Sequence, residues 1–371
     1  MSEQSEPQKF IPSRLDEVED VEEYRPGGFH PMSIGDVFAG GRYRPDRLVT
    51  LKVMHADASS KAPNELPDLA VPKILQADPH CSPCGLQVVQ DHFVVQGPDS
   101  SHRFLVYLFA GPSVLAVSDC PGRVSGSRRL RGDLARNVAK QMATAVYHIH
   151  RAGFVHGDGQ SFMLSSGPNI LFRASERVYA HLGMPETEEV RTRDGQPRGL
   201  HAPPELVGAV ENSQLVDASF LQENVVVIGF GQSYAVASPP KDYEPATLIN
   251  YQSPEGRFEG RADVLRQSRN SFEQRALWFE ENGQVKSPLA QEVAGAFLQT
   301  SKSSIRDKLR SIGTQDDPPL SDEGPMIEKS GVILPEEVVA LLGDLFERML
   351  VYRPEDRIGM QEVIDHPWFS L

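Results

Sequence analysis

The chain is poor in cysteine, in basic charge and in unbroken apolar sequence. Its 371 residues hold three cysteines, Cys81, Cys84 and Cys120, too few for a disulfide framework. Cys81-Ser82-Pro83-Cys84, with His80 beside it, is a lone pair. Structural zinc takes four ligands, and no second pair stands at a matching spacing, so the reading is a loop with two reduced thiols. The longest apolar run, Phe104 to Val117, is broken by Gly111-Pro112-Ser113 and falls short of the ~20 residues that cross a bilayer. The opening MSEQSEPQKF has no apolar segment behind a basic start, so no secretory leader is expected and a cytoplasmic or nuclear protein is the default. Lysine and arginine number 37 against 51 aspartates and glutamates, a formal charge of −14. That balance disfavours the basic surface that phosphate backbones require, so no direct nucleic-acid partner is expected. It suits a basic peptide, drawn in by long-range steering.

What is present is a chain long enough for one bilobal domain or two ordinary ones, with 39% hydrophobic and 24% charged residues, as in soluble globular proteins. Residues 1–25 are acidic and poor in large apolar groups, and are expected to form a disordered or loosely docked tail. Short β-like runs follow at Leu48–Val53, Gln87–Val95 and Arg103–Phe109, parted by turn residues, as in a small antiparallel sheet. Beyond Gly111-Pro112 the pattern turns helical. Leu134, Val138, Met142, Val146 and Ile149 recur at helical spacing over Asp133–His150, with Asp133 the expected N-cap and Gly153 just past the end. A second helix is predicted over Pro335–Leu350 with Val338, Leu341, Leu342, Leu345, Phe346 and Met349 along one face. Residues 176–222 are charged and rich in proline and glycine, and read as an insertion.

Several stretches in the same order resemble the eukaryotic protein kinases, and within them the branch of SR-protein kinases. Glu22–Arg44 (EEYRPGGFHPMSIGDVFAGGRYR) resembles the segment leading into that kinase domain, and Val49–Val53 the strand carrying the phosphate-contacting lysine, here Lys52. Glu65 falls where the lysine's partner glutamate would stand. His156-Gly157-Asp158 and Asn169-Ile170-Leu171-Phe172 resemble the two ends of the catalytic loop, and Ser253-Pro254-Glu255 the end of the activation segment. Asp263 stands at the start of the next long helix. The tail, Ser304–Lys329 followed by Gly343–Phe369, is the closest match, with Arg357 where kinases place the arginine that pairs with that glutamate, here Glu255.

The resemblance implies an α+β, bilobal kinase-like fold spanning residues 26–371. It has a small, incomplete antiparallel-sheet N-lobe over 26–110 and a larger, mainly helical C-lobe over 111–371. It implies ATP and Mg²⁺ as cofactors and serine phosphorylation of Arg/Ser-rich basic proteins, in cytoplasm and nucleus. Asp158 would be the catalytic base, Lys52 and Glu65 the ATP contacts and Asn169 a metal ligand, with Glu255 and Arg357 a structural ion pair.

Five departures bear on activity. No G-x-G-x-x-G runs between Arg44 and Val49, and Gly40-Gly41 lacks that spacing. Asn169 follows Asp158 by eleven positions, where the family pattern sets five, and Gln160 replaces the usual lysine. Pro67 and Pro72 stand where the helix carrying Glu65 should continue, and an interior proline costs about 3 kcal/mol, so that helix is expected to be broken. The metal-binding DFG aspartate is replaced: Gly229-Phe230-Gly231 aligns with the DFG turn, and glycine offers a hard cation no oxygen from its side chain. After Asp263 the sequence also skips part of the helix that families of this kind carry. Three readings stay open: an active serine/threonine kinase, a pseudokinase that docks basic peptides without transferring phosphate, and a chain too interrupted to do either.

Overall fold

The computed structural model describes residues 8–15, 18–42, 49–78, 85–98, 100–118, 124, 126–157, 169–175, 177–178, 185–209, 219–241, 304–319, 323–351 and 354–371. Asp158, Gln160, Glu255 and Asp263, together with His80 and the three cysteines, lie outside the described residues. The chain divides into two compact units, 1–113 with 171–228 and 114–170 with 229–371. The architecture is mixed α and β, with small antiparallel sheets and several helices.

In the first unit β1 (Val49–Val53), β2 (Val89–Gln96) and β3 (Ser101–Leu108) form an antiparallel sheet in the order β1-β3-β2. The sheet read from the sequence is there because β-branched and aromatic residues line both faces of its middle strand. Phe104, Leu105 and Val106 on β3 are at most 1% exposed, and Phe104 packs against Phe38 and Phe93. β2 alternates half-buried and exposed positions, as a strand with one solvated face does. α1 (Ala56–Ser59) is a single turn after β1.

The helix expected to carry Glu65 begins only after it, at Pro67, but is not broken at Pro72: α2 runs Pro67–Ala77. Pro67 occupies its first position, where no backbone N–H is required, and Ala70 N–H donates to Leu66 O at 2.9 Å to start the ladder. Pro72 is interior and removes the donor that would meet the Asp68 carbonyl. Burial of Val71, Pro72 and Leu75 on the same face offsets that loss.

The acidic N-terminal segment, expected to be loose, buries Phe10, Val21 and Tyr24 in a cluster with Val190, Ala202 and Leu206. Those last three belong to the stretch read as an insertion, whose β6 (Thr187–Glu189) and β7 (Glu205–Val207) pair antiparallel. β5 (Ile170–Ala174) pairs with β8 (Leu221–Val227), and Phe172 on β5 is fully buried. Residues 171–228 thus group with the strand-rich unit, whereas the sequence reading put them with the helical part.

In the second unit α3 (Val114–Ser118) precedes α4 (Gly132–Arg151), which buries Leu134, Val138, Ala145, Val146 and Ile149, while Met142 is half-buried. Arg131, not Asp133, occupies the N-cap position of α4 without a side-chain capping bond, and Asp133 sits in the first turn held by the Arg131 guanidinium at 2.5 Å. Gly153, at φ +78°, ends the turn that leads into β4 (Phe154–Val155), paired with β9 (Tyr234–Ala235). α5 (Ile305–Ser311), α6 (Glu336–Met349) and α7 (Met360–Ile364) follow. Leu345, Val363, Trp368 and Phe369 pack with Ala143 of α4 into one apolar cluster.

Candidate functional site

Lys52 occupies an exposed position of β1, directly across from Leu105 in the central strand. Its Nζ lies 3.0 Å from Oδ1 of Asp68, whose carboxylate is buried. The Tyr107 hydroxyl, on β3, donates to the same oxygen at 3.5 Å. Burial, and then the Asp68 charge, push that hydroxyl well above the usual phenol range, so it stays a donor. A buried carboxylate needs such partners, because an unpaired charge in the interior is costly.

Glu65 does not reach Lys52. It ends a short turn, Pro63–Glu65, before α2 begins, and its exposed carboxylate accepts the Ala62 N–H at 3.0 Å. Asp68 stands one residue inside α2, where the helix dipole favours an anion. The sequence held a signal for it. Asp68, Val71, Pro72 and Leu75 recur at helical spacing and are the buried face of α2, a pattern obscured while the prolines read as breakers.

In the second unit the segments resembling the catalytic loop and the DFG turn meet. The ring of His156, 2% exposed, lies 5.0 Å from that of Phe230. The Ser233 hydroxyl donates to the His156 carbonyl at 2.7 Å. Gly229 is left-handed, at φ +83° and ψ 39°, and caps the turn Phe230–Gln232. A β-carbon built on Gly229 would lie 3.0 Å from both Cγ and Oδ1 of Asn169. The structure therefore brings position 229 and Asn169 side by side, with the Asn169 amide closed against the glycine backbone. An L-residue at 229 would face both an unfavourable φ and a contact tighter than carbon normally tolerates.

These residues do not fit a magnesium ion of the kind kinases hold. Asn169 offers one amide oxygen from its side chain, Gly229 offers none from its side chain, and the described residues contain no cluster of three or more His, Cys, Asp or Glu able to hold a metal. Arg357 donates through Nε to the Val351 carbonyl at 2.8 Å, while Glu255 lies outside the described residues.

No family model matches the chain. It is similar to protein kinase dsk1 of Schizosaccharomyces pombe, 24% identical over 192 residues, covering 46% of this chain and 33% of that protein. It is also similar to serine/threonine-protein kinase spk-1 of Caenorhabditis elegans, 27% identical over 177 residues, 41% of this chain and 17% of that protein. The spk-1 protein of Caenorhabditis briggsae is matched at 27% over 177 residues as well. The chain spans a third or less of the length of these relatives. The similarities support a protein-kinase-like relationship.

Proposed function

We propose that the chain is a pseudokinase of the SR-protein-kinase type. It keeps the lysine and helix of a nucleotide site and binds Arg/Ser-rich basic proteins in cytoplasm and nucleus, without transferring phosphate to them. The observation that carries this reading is the contact of Gly229 with Asn169. Where a kinase needs a carboxylate on the ion bridging the β- and γ-phosphates, this backbone is left-handed and the space beside it is filled by an amide. The charge of −14 supports a basic partner.

A second reading, phosphotransfer to the same proteins, is supported by the Lys52–Asp68 pair, which leaves the lysine 45% exposed and free to meet an anion. The two separate in one experiment. An Arg/Ser-rich peptide is titrated into the protein by calorimetry, then incubated with it, Mg²⁺ and γ-labelled ATP. The pseudokinase reading predicts peptide binding and no label above that of a Lys52→Ala control. Label incorporated by the wild type alone establishes the second reading. Absence of binding removes the basic partner.

A further inference from the structure

Residues 8–14 lie on the β6–β7 hairpin in the manner of a bound peptide. Ile11 N–H donates to the Arg191 carbonyl at 2.9 Å, Arg193 N–H donates to the Lys9 carbonyl at 3.0 Å, and Phe10 bridges Thr192 antiparallel. This is strand addition, in which main-chain bonds supply adhesion and a side-chain pocket supplies register. The pocket holds Phe10, 4% exposed among Val21, Tyr24, Val190, Ala202 and Leu206. Arg193 ties the same stretch through Nε to the Phe10 carbonyl and through Nη2 to Gln8.

Past Phe10 the attachment thins. Ile11 is half exposed, and a cleft of about 230 Å³ opens between residues 11–14 and the hairpin. One group closes its far side. Oε2 of Glu188 accepts the Ser13 hydroxyl at 2.7 Å and the Arg14 N–H at 2.6 Å. These two donors, the hydroxyl foremost, hold the Glu188 carboxyl below its ordinary range. Glu189 and Arg191, which also line the cleft, are paired with each other at 2.9 Å.

We propose that Ser13 is a phosphoacceptor and that its modification unlatches residues 8–14 from the hairpin. The phosphoryl donor is a nucleoside triphosphate used by a serine/threonine kinase acting in trans. A bond forms between Ser13 Oγ and the γ-phosphorus, the bond from that phosphorus to the β-phosphate oxygen breaks, and the hydroxyl proton passes to that kinase's base. The product has lost the donor that Glu188 accepts. It sets a charge of about −1.5 to −2 against a carboxylate, which drives the two apart. Release of the strand uncovers the apolar pocket that Phe10 fills. This inference is independent of the nucleotide-site residues.

The test uses the full chain with phosphoserine encoded at position 13, and follows amide hydrogen exchange at Ile11, Arg14 and Arg193. Exchange at these amides rises at least tenfold over the unmodified protein, while Leu105 in β3 is unchanged. Trypsin cleavage after Arg14 accelerates in step. Combining phosphoserine with Glu188→Gln, which removes the repelling charge, restores part of the protection. Unchanged or slowed exchange, an equal rise with and without Glu188→Gln, or loss of protection throughout β3 overturns the proposal. Mass spectrometry of the chain isolated from its own cells finds phosphate on Ser13; a uniformly unmodified serine there overturns the modification.

Discussion

Lys52 and Asp68 form an ion pair at 3.0 Å in which the lysine is 45% exposed and the aspartate 4%. The asymmetry sets what each contributes. The lysine head remains open to solvent and to an incoming anion, while the aspartate is fixed from behind by Tyr107 and by its place in the first turn of α2.

Replacing Asp68 by alanine leaves the Tyr107 hydroxyl and the Lys52 ammonium without their shared acceptor. A buried donor left unpaired costs about 1–3 kcal/mol, so Asp68→Ala lowers unfolding free energy by that order. Glu65→Ala removes only an exposed cap and costs about 0.5–1 kcal/mol. Urea titrations of the two variants rank them; a larger loss from Glu65 would return the pairing to the residue that sequence position alone assigns.

Gly229→Ala places a β-carbon at φ +83° and against Asn169. The left-handed backbone alone costs about 1–2 kcal/mol for an L-residue. The variant melts lower than wild type. Gly229→Asp also melts lower and gains no magnesium-dependent stabilisation by ATP, because the carboxylate enters on a strained left-handed backbone and must displace the Asn169 amide. A Gly229→Asp protein stabilised by Mg-ATP would show that the site had lost only one ligand.

Acid weakens the α5 cap, the packing of α5 on α6 and the tie from α6 to His366. The carboxyls of Asp307, Glu336, Glu347 and Asp344 are all held below their ordinary values, foremost by hydrogen bonds from Ser304, Arg310, Arg306 and His366 respectively. A carboxylate depressed in the folded state contributes stability that is complete above its unfolded pKa and is lost as pH falls through the folded one. The contribution of these four carboxyls is therefore flat above about pH 5 and declines as pH falls below the reference values near 4.5 and 3.8, whereas His150, held below its ordinary value by burial, already weakens the fold as pH falls below about 6.5. The carboxyls are exposed, so their decline is modest and is damped at 1 M salt. Glu336→Gln with Glu347→Gln shallows the acid limb; an unchanged limb contradicts the assignment.

What the sequence disclosed, and what it hid, follows from the range of the interactions. The strands around Lys52 and Phe104 and the stripe Leu134–Val138–Val146–Ile149 announce themselves because strand and helix periods are local. Asp68 was hidden by a local rule applied too strongly: proline ends helices, yet Pro67 begins this one and the burial of Pro72 keeps it whole. Phe10, Val21 and Tyr24 have no period of their own, and their partners Val190 and Leu206 lie far along the chain. The contact of Gly229 with Asn169 is of the same long-range kind. The glycine could be read, but its left-handed backbone and the amide against it could not.

The most direct test of the central claim is the melting temperature of the wild type and of Lys52→Ala in millimolar ATP, with Mg²⁺ and with a chelator. A ligand bound at a hundredfold excess over Kd stabilises the folded state by about 2.7 kcal/mol, a readily measured shift. The account predicts the same wild-type melting temperature with magnesium as with chelator, since position 229 supplies no ligand. A magnesium-dependent rise in the wild type, lost in Lys52→Ala, would contradict it by showing that the site still holds Mg-ATP.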